Sequence, residues 1–222
     1  EILSQKKAVD YIISIDSQDS MLFKNFGKMD YYVGGHSKGG NLALYASGHA
    51  PSKLQKRIKK IYCFDSPGFN KNVCDDSMLI IASKAENYMP TSSFFGRMFE
   101  HKEKITVIKS KQFGLLQHDL SNWHIDIDHF LYEQSFNDIS NRVHDSMNHL
   151  LENLNNNEKE EAIESLFDIF EKQGLYTFED LTKINLNHII QGIKDFSDLS
   201  SNTKRIVLEL LKIIIELNTS IK

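Results

Sequence analysis

The stretch Tyr31-Tyr32-Val33-Gly34-Gly35-His36-Ser37-Lys38-Gly39-Gly40-Asn41-Leu42-Ala43 decides how this chain is read. Tyr31 to Val33 is an aromatic and β-branched run ending at glycines, the pattern of a buried strand. Leu42 to Ala46 reads as helix, and Pro51 ends it. Between the two stands G-x-S-x-G, as Gly35-His36-Ser37-Lys38-Gly39. A serine on a sharp turn from strand to helix is a nucleophile elbow. The positions two before and two after it are expected to be small because strand and helix backbones approach closely there. The following helix aims its free N–H groups and positive end at the place where an oxyanion forms, with the Lys38 amide as first donor. The spacing is not the G-x-G-x-x-G of dinucleotide binding, and no Gly-Lys-Ser or Gly-Lys-Thr makes it a phosphate loop.

Outward from this segment, strands and helices alternate. Ile2 to Ile15 places Ala8, Val9, Ile12 and Ile13 at helical spacing, and a turn-rich stretch with Asn25 and Gly27 follows. Further strands are expected at Ile58–Phe64, Met78–Ala82 and Ile105–Ile108. Such alternation predicts an α/β fold with a mostly parallel sheet. From about Phe136 the pattern is helical. Ile139, Val143, Met147, Leu150 and Leu154 form one stripe, and Ile163, Leu166, Phe167 and Phe170 another. A third cluster lies at Ile184 to Ile193, a last helix covers Ile206 to Leu217, and Asn155 to Asn157 reads as a connection. The expected division is an α/β core at 1–135 and a helical region at 136–222.

Composition sets bounds. The 222 residues are 41% hydrophobic and 25% charged, as in ordinary globular domains. A net charge of -4 and a pI near 6.1 argue against nucleic acid or an anionic membrane as partner. The one basic cluster, Lys56, Arg57, Lys59 and Lys60, reads as a solvated helix end. Two cysteines, Cys63 and Cys74, indicate a reduced, cytoplasmic protein, with Cys63 a buried small hydrophobe. No apolar run reaches membrane-spanning length. The chain opens with Glu1 and not Met, which leaves room for a segment upstream.

A serine hydroxyl needs a base to take its proton and an acid to orient that base. The order in α/β-hydrolases is serine, acid, histidine. Asp65 stands at the end of the predicted strand Ile58–Phe64, where sites collect on parallel sheets. His118 is the expected base, with His124 and His129 as competitors and Asp119 as a local hydrogen-bond partner. His124, Asp126 and Asp128 would share one face if that stretch were a strand. The spacing nevertheless lacks a zinc pattern, so neither metal nor cofactor is expected.

Three segments carry a family resemblance: Gly35-His-Ser-Lys-Gly-Gly-Asn-Leu-Ala43, Cys63-Phe-Asp-Ser-Pro-Gly-Phe69 and Gln117-His-Asp-Leu-Ser-Asn-Trp123. Together they resemble the Mbeg-like bacterial family, which is of unknown function and considered related to α/β-hydrolases and lipases. The likeness runs from about Tyr31 to Leu181. The elbow is also similar to the Gly-His-Ser-Leu-Gly-Gly of class 3 lipases, with Lys38 in place of an apolar residue. Phe64-Asp65-Ser66-Pro67 resembles the acid-bearing strand end of pancreatic-type lipases. In class 3 lipases the acid follows the next strand in an Asp-x-x-Pro pattern, and the corresponding stretch here is Asn87-Tyr88-Met89-Pro90, with Asn where Asp is expected and Glu86 beside it as alternative acid. The resemblance implies several strands ahead of the elbow, more than 36 residues can supply, so an N-terminally truncated sheet with an exposed edge is expected, and a second oxyanion donor upstream. The implied activity is hydrolysis of a small-molecule acyl ester or lipid-like substrate through Ser37, His118 and Asp65. The alternative is a catalytically inactive interaction protein on the same fold.

Overall fold

A computed structural model describes residues 3–22, 29–69, 76–152, 154–175, 180, 183–184, 186–195 and 199–219. Ile2, Asn25, Gly27, Cys74, Leu181 and the side chains of Ile163, Phe167 and Ile193 lie outside the described residues. The chain divides into two compact units. The first comprises Glu1–Pro90, Phe95–Lys109 and Asp126–Gln134; the second comprises Thr91–Phe94, Ser110–Ile125 and Ser135–Lys222.

In the first unit the chain runs α1 (Leu3–Leu22), β1 (Tyr31–His36), α2 (Lys38–His49), α3 (Ser52–Gln55), β2 (Ile58–Phe64), α4 (Asp76–Ala82), β3 (Ala85–Pro90) and β4 (Lys104–Ile108). The strands form one sheet in the order β1-β2-β3-β4, every pair parallel. Parallel neighbours need crossovers, which α2 supplies between β1 and β2, and α4 between β2 and β3. Alternation along the strands sends Val33, Ile61, Cys63 and Ala85 to one face. There they pack with Val9 and Ile12 of α1, Leu44 and Tyr45 of α2, and Met78 and Ile81 of α4. Ile58, Ile61 and Ile81 are fully buried, each stabilising the fold by about 1.5–3 kcal/mol. Cys63 joins this core as a free thiol whose pKa is pushed up by burial and by the charge of Glu103.

The opposite face carries Tyr62 and Phe64 of β2, Glu86 and Tyr88 of β3, and Lys104 and Thr106 of β4. A hairpin of two-residue strands, β5 (Ile125–Asp126) and β6 (His129–Phe130), follows in sequence. Its Phe130 ring lies edge-on to Phe64 at 6.5 Å and 5.3 Å from Tyr88.

Two expectations are corrected. Met78–Ala82 is the last part of helix α4 and not a strand; the strand is Ala85–Pro90. A five-residue apolar run has no decisive period, and the crossover into a parallel strand requires a helix at that point. Second, Arg57 is not solvated. It is 9% exposed, lies 4.9 Å from the centre of the Tyr31 ring, donates from Nε to Met29 O at 2.6 Å and pairs with Asp16 of α1. Lys59 and Lys60 pair with Asp30 and Glu86.

The second unit is mainly helical: α5 (Asp138–Glu152), α6 (Asn156–Lys172), α7 (Leu186–Asp195) and α8 (Ser201–Thr219). Val143, Met147, Leu150 and Leu154 are buried along one stripe, as their spacing predicts. Asn155 accepts from Glu158 N at 3.0 Å while Glu158 accepts from Asn155 N at 2.9 Å, a capping box that starts α6. Thr91–Phe94 docks on the start of α5, where Ser140 Oγ donates to Ser93 O. Among the described residues, no helix is long and apolar enough to cross a membrane.

Candidate active site

Ser37 follows β1 directly, and α2 begins at the next residue. Its backbone has φ 53° and ψ -129°, a left-handed conformation that L side chains seldom adopt. Holding it costs about 1–3 kcal/mol, and residues so held cluster at functional sites. The surroundings fix it: Ser37 N donates to Phe64 O at 2.9 Å, and Gly40 N donates to Ser37 O at 3.0 Å. The side chain is half-buried and the neighbouring Lys38 is exposed.

The glycines around the serine do not contribute equally. A Cβ on Gly35 would lie 2.3 Å from Gly39 C, and one on Gly40 would lie 2.7 Å from both Gly35 O and Ser66 Cβ. A Cβ on Gly39 would meet nothing within 4 Å. The tight helix position is therefore Gly40, one residue later than the motif implies.

Asp65 follows β2 as Ser37 follows β1, and the register pairs His36 with Phe64. The two residues thus stand side by side, one step beyond an aligned pair, on strands about 4.8 Å apart. Asp65 is also left-handed, at φ 45°, and is 1% exposed. Its N–H donates to Tyr88 O at 2.8 Å. The next residue is held by Asn87 of β3: Ser66 N donates to Asn87 Oδ1 at 3.3 Å, and Asn87 Nδ2 donates to Ser66 O at 2.8 Å.

Glu86 is the second residue of β3, opposite Tyr62 and Lys104, near the strand's N-terminal end and away from the C-terminal ends that Ser37 and Asp65 follow. Lys104 Nζ and Thr106 Oγ1 donate to its Oε1, each at 2.6 Å, and Lys60 Nζ donates to Oε2 at 3.0 Å. Burial alone would raise its pKa, but these three partners outweigh that and hold it at about 2.

His118 belongs to the second unit, at the end of the 3-10 turn Gly114–His118, and is 3% exposed. The segment from Gln117 to Trp123 closes on itself. Trp123 Nε1 donates to Gln117 O at 2.7 Å, Asn122 Nδ2 to Leu116 O at 2.9 Å, and Ser121 N to Asp119 Oδ1 at 2.9 Å. Asp119 is thereby a cap of the following turn. His124 is half-buried, whereas His129 is exposed and pairs with Asp128 at 3.0 Å. Residues 124–129 do not form one strand face: the chain reverses at Ile127 and Asp128, with Ile127 at φ 57°.

A family model described as Mbeg1-like matches residues 1–168. The chain belongs to the Mbeg1-like family. No curated protein and no solved structure matches it. The family match takes in Ser37, Asp65, Glu86 and His118, and the helices α7 and α8 of this Mbeg1-like chain lie beyond it.

One group in the Mbeg1-like chain was not legible in advance. Glu103, immediately before β4, accepts from His101 Nδ1 at 2.6 Å and from Asn87 Nδ2 at 3.1 Å on Oε1, and from Lys102 N at 3.0 Å on Oε2. Sequence offered one signal, Asn87 at the position where a class 3 lipase carries its acid. The partners 14 to 16 residues later follow no local spacing.

Proposed function

We propose that this Mbeg1-like chain is a serine hydrolase of the α/β-hydrolase type, acting on acyl esters. The observation that carries the reading is the left-handed backbone of Ser37, a non-glycine residue at the junction of β1 and α2. Ser37 Oγ attacks the acyl carbonyl, His118 takes its proton and returns it to the leaving alcohol, and water then releases the acyl group by the same route. Asp65 orients His118 and offsets the imidazolium charge. The Lys38 N–H, first in α2, donates to the oxyanion. Asp65 is favoured over Glu86 because it stands beside Ser37 at a strand end, whereas the Glu86 carboxylate is committed to two lysines and a threonine.

The substrate is a small-molecule acyl ester or a lipid-like ester, and no cofactor is required. Hydrolysis of p-nitrophenyl butyrate tests the reading. Ser37→Ala is expected to lower kcat/KM by at least about a thousandfold, and His118→Ala and Asp65→Asn by at least about a hundredfold. Glu86→Gln should stay within about threefold of the parent, the scale of an indirect effect. Turnover by Ser37→Ala equal to the parent would favour a non-catalytic interaction protein on this fold.

A further inference from the structure

We propose that His101, Glu103 and Asn87 form a positioning relay that fixes the turn bearing Asp65, and through that turn the backbone of Ser37. The inference rests on the hydrolase reading above, because it treats Asp65 as the acid. The turn is clamped from two sides. Asn87 takes both the N–H and the C=O of Ser66, while Asn41 Nδ2 of α2 donates to Pro67 O at 3.2 Å and to Gly68 O at 2.8 Å.

The segment carrying His101 and Glu103 wraps the same turn. Gly68 N donates to Met98 O at 2.9 Å, and Phe69 pairs with Glu100 in an antiparallel bridge. A Cβ on Gly68 would lie 2.1 Å from Glu100 O, so the two backbones are in close contact.

Asn87 can serve Ser66 only if its amide keeps one orientation, with Oδ1 toward Ser66 N. A carboxylate that accepts from Nδ2 enforces that orientation, since the reversed amide would place Oδ1 against Glu103. Burial alone would raise the Glu103 pKa, but the His101 hydrogen bond and charge, with Asn87, hold it below the usual carboxylate range. His101 in turn is 9% exposed at its side chain, and its Nε2 is buried with no hydrogen-bond partner among the described residues. A buried nitrogen left unsatisfied costs stability, and what offsets that cost at His101 is its 2.6 Å bond to Glu103. From Ser66 the path to the nucleophile is short. Ser37 N donates to the carbonyl of Phe64, the residue before Asp65.

Two readouts on the purified protein test the relay: fluorophosphonate labelling kinetics, and amide hydrogen exchange at Ser66. In Glu103→Leu the saturating labelling rate is expected to fall about tenfold with the half-saturating probe concentration unchanged, the scale of one charge-assisted hydrogen bond. The Ser66 amide should exchange about tenfold faster on the same grounds. Glu103→Gln keeps an oxygen that accepts from Asn87 and His101, and should recover most of both. Should Glu103→Leu fail to fold, His101→Phe keeps the ring and loses the hydrogen bond, with both readouts shifting in the same direction. Labelling at the parental rate in Glu103→Leu and His101→Phe, or unchanged exchange at Ser66 in them, would overturn the relay. If the parent labels no faster than Ser37→Ala, the hydrolase reading fails instead, while Ser66 exchange still decides whether the relay grips the turn.

Discussion

Ser37 and Asp65 share an uncommon property: each is a non-glycine residue with left-handed backbone, and each ends one of two adjacent strands. Strain of this kind persists only where neighbours over-determine it, and here the neighbours are backbone groups of the adjoining strands and Asn87. The glycines beside Ser37 sort by what a methyl group would meet. Gly35→Ala should destabilise the protein by at least about 2 kcal/mol in urea denaturation, because its Cβ would press on the backbone of Gly39 and Gly40. Gly39→Ala should be neutral, or stabilising by up to about 1 kcal/mol, since its Cβ faces open space at the start of a helix. Equal losses in the two variants would contradict this. The motif at Ser37 was legible in sequence because its spacing reflects one local turn. That a Cβ would be crowded at Gly40 and not at Gly39 was not legible, because one of the two groups it would meet, Ser66, lies beyond the next strand in the chain.

At the scale of elements, β1, β2 and β4 agree with the runs read from sequence to within a few residues. The apolar run at Met78–Ala82 misled, since five residues satisfy either period, and the true strand Ala85–Pro90 hides behind Glu86 and Asn87. Those polar residues are tolerated inside a central strand because each is fully partnered. Glu86 shows the consequence for stability. Its carboxyl is held at about 2 against an ordinary 4.5, so it contributes fully above pH 4.5 and progressively less as the pH falls toward 2. Parent and Glu86→Gln should differ by on the order of 2 kcal/mol at neutral pH. Denaturant midpoints followed downward in pH should converge; a gap that persists at pH 2 would contradict the assignment.

For the molecule as a whole, the parallel four-stranded sheet agrees with the α/β architecture inferred from alternating periods. The residues proposed for catalysis are Ser37, Asp65 and His118. The elbow motif nominated Ser37, a strand end Asp65, and chain order with the likeness at Gln117–Trp123 His118, whereas the supports behind Asp65 depend on long-range pairing that no local spacing encodes. The central claim is that Ser37 is an activated nucleophile. Intact-mass analysis after treatment with a fluorophosphonate tests it most directly. One phosphonyl adduct per chain, mapped to the peptide containing Ser37 and missing in Ser37→Ala, is the predicted result. An unmodified parent chain, or an equal adduct on Ser37→Ala, would contradict it.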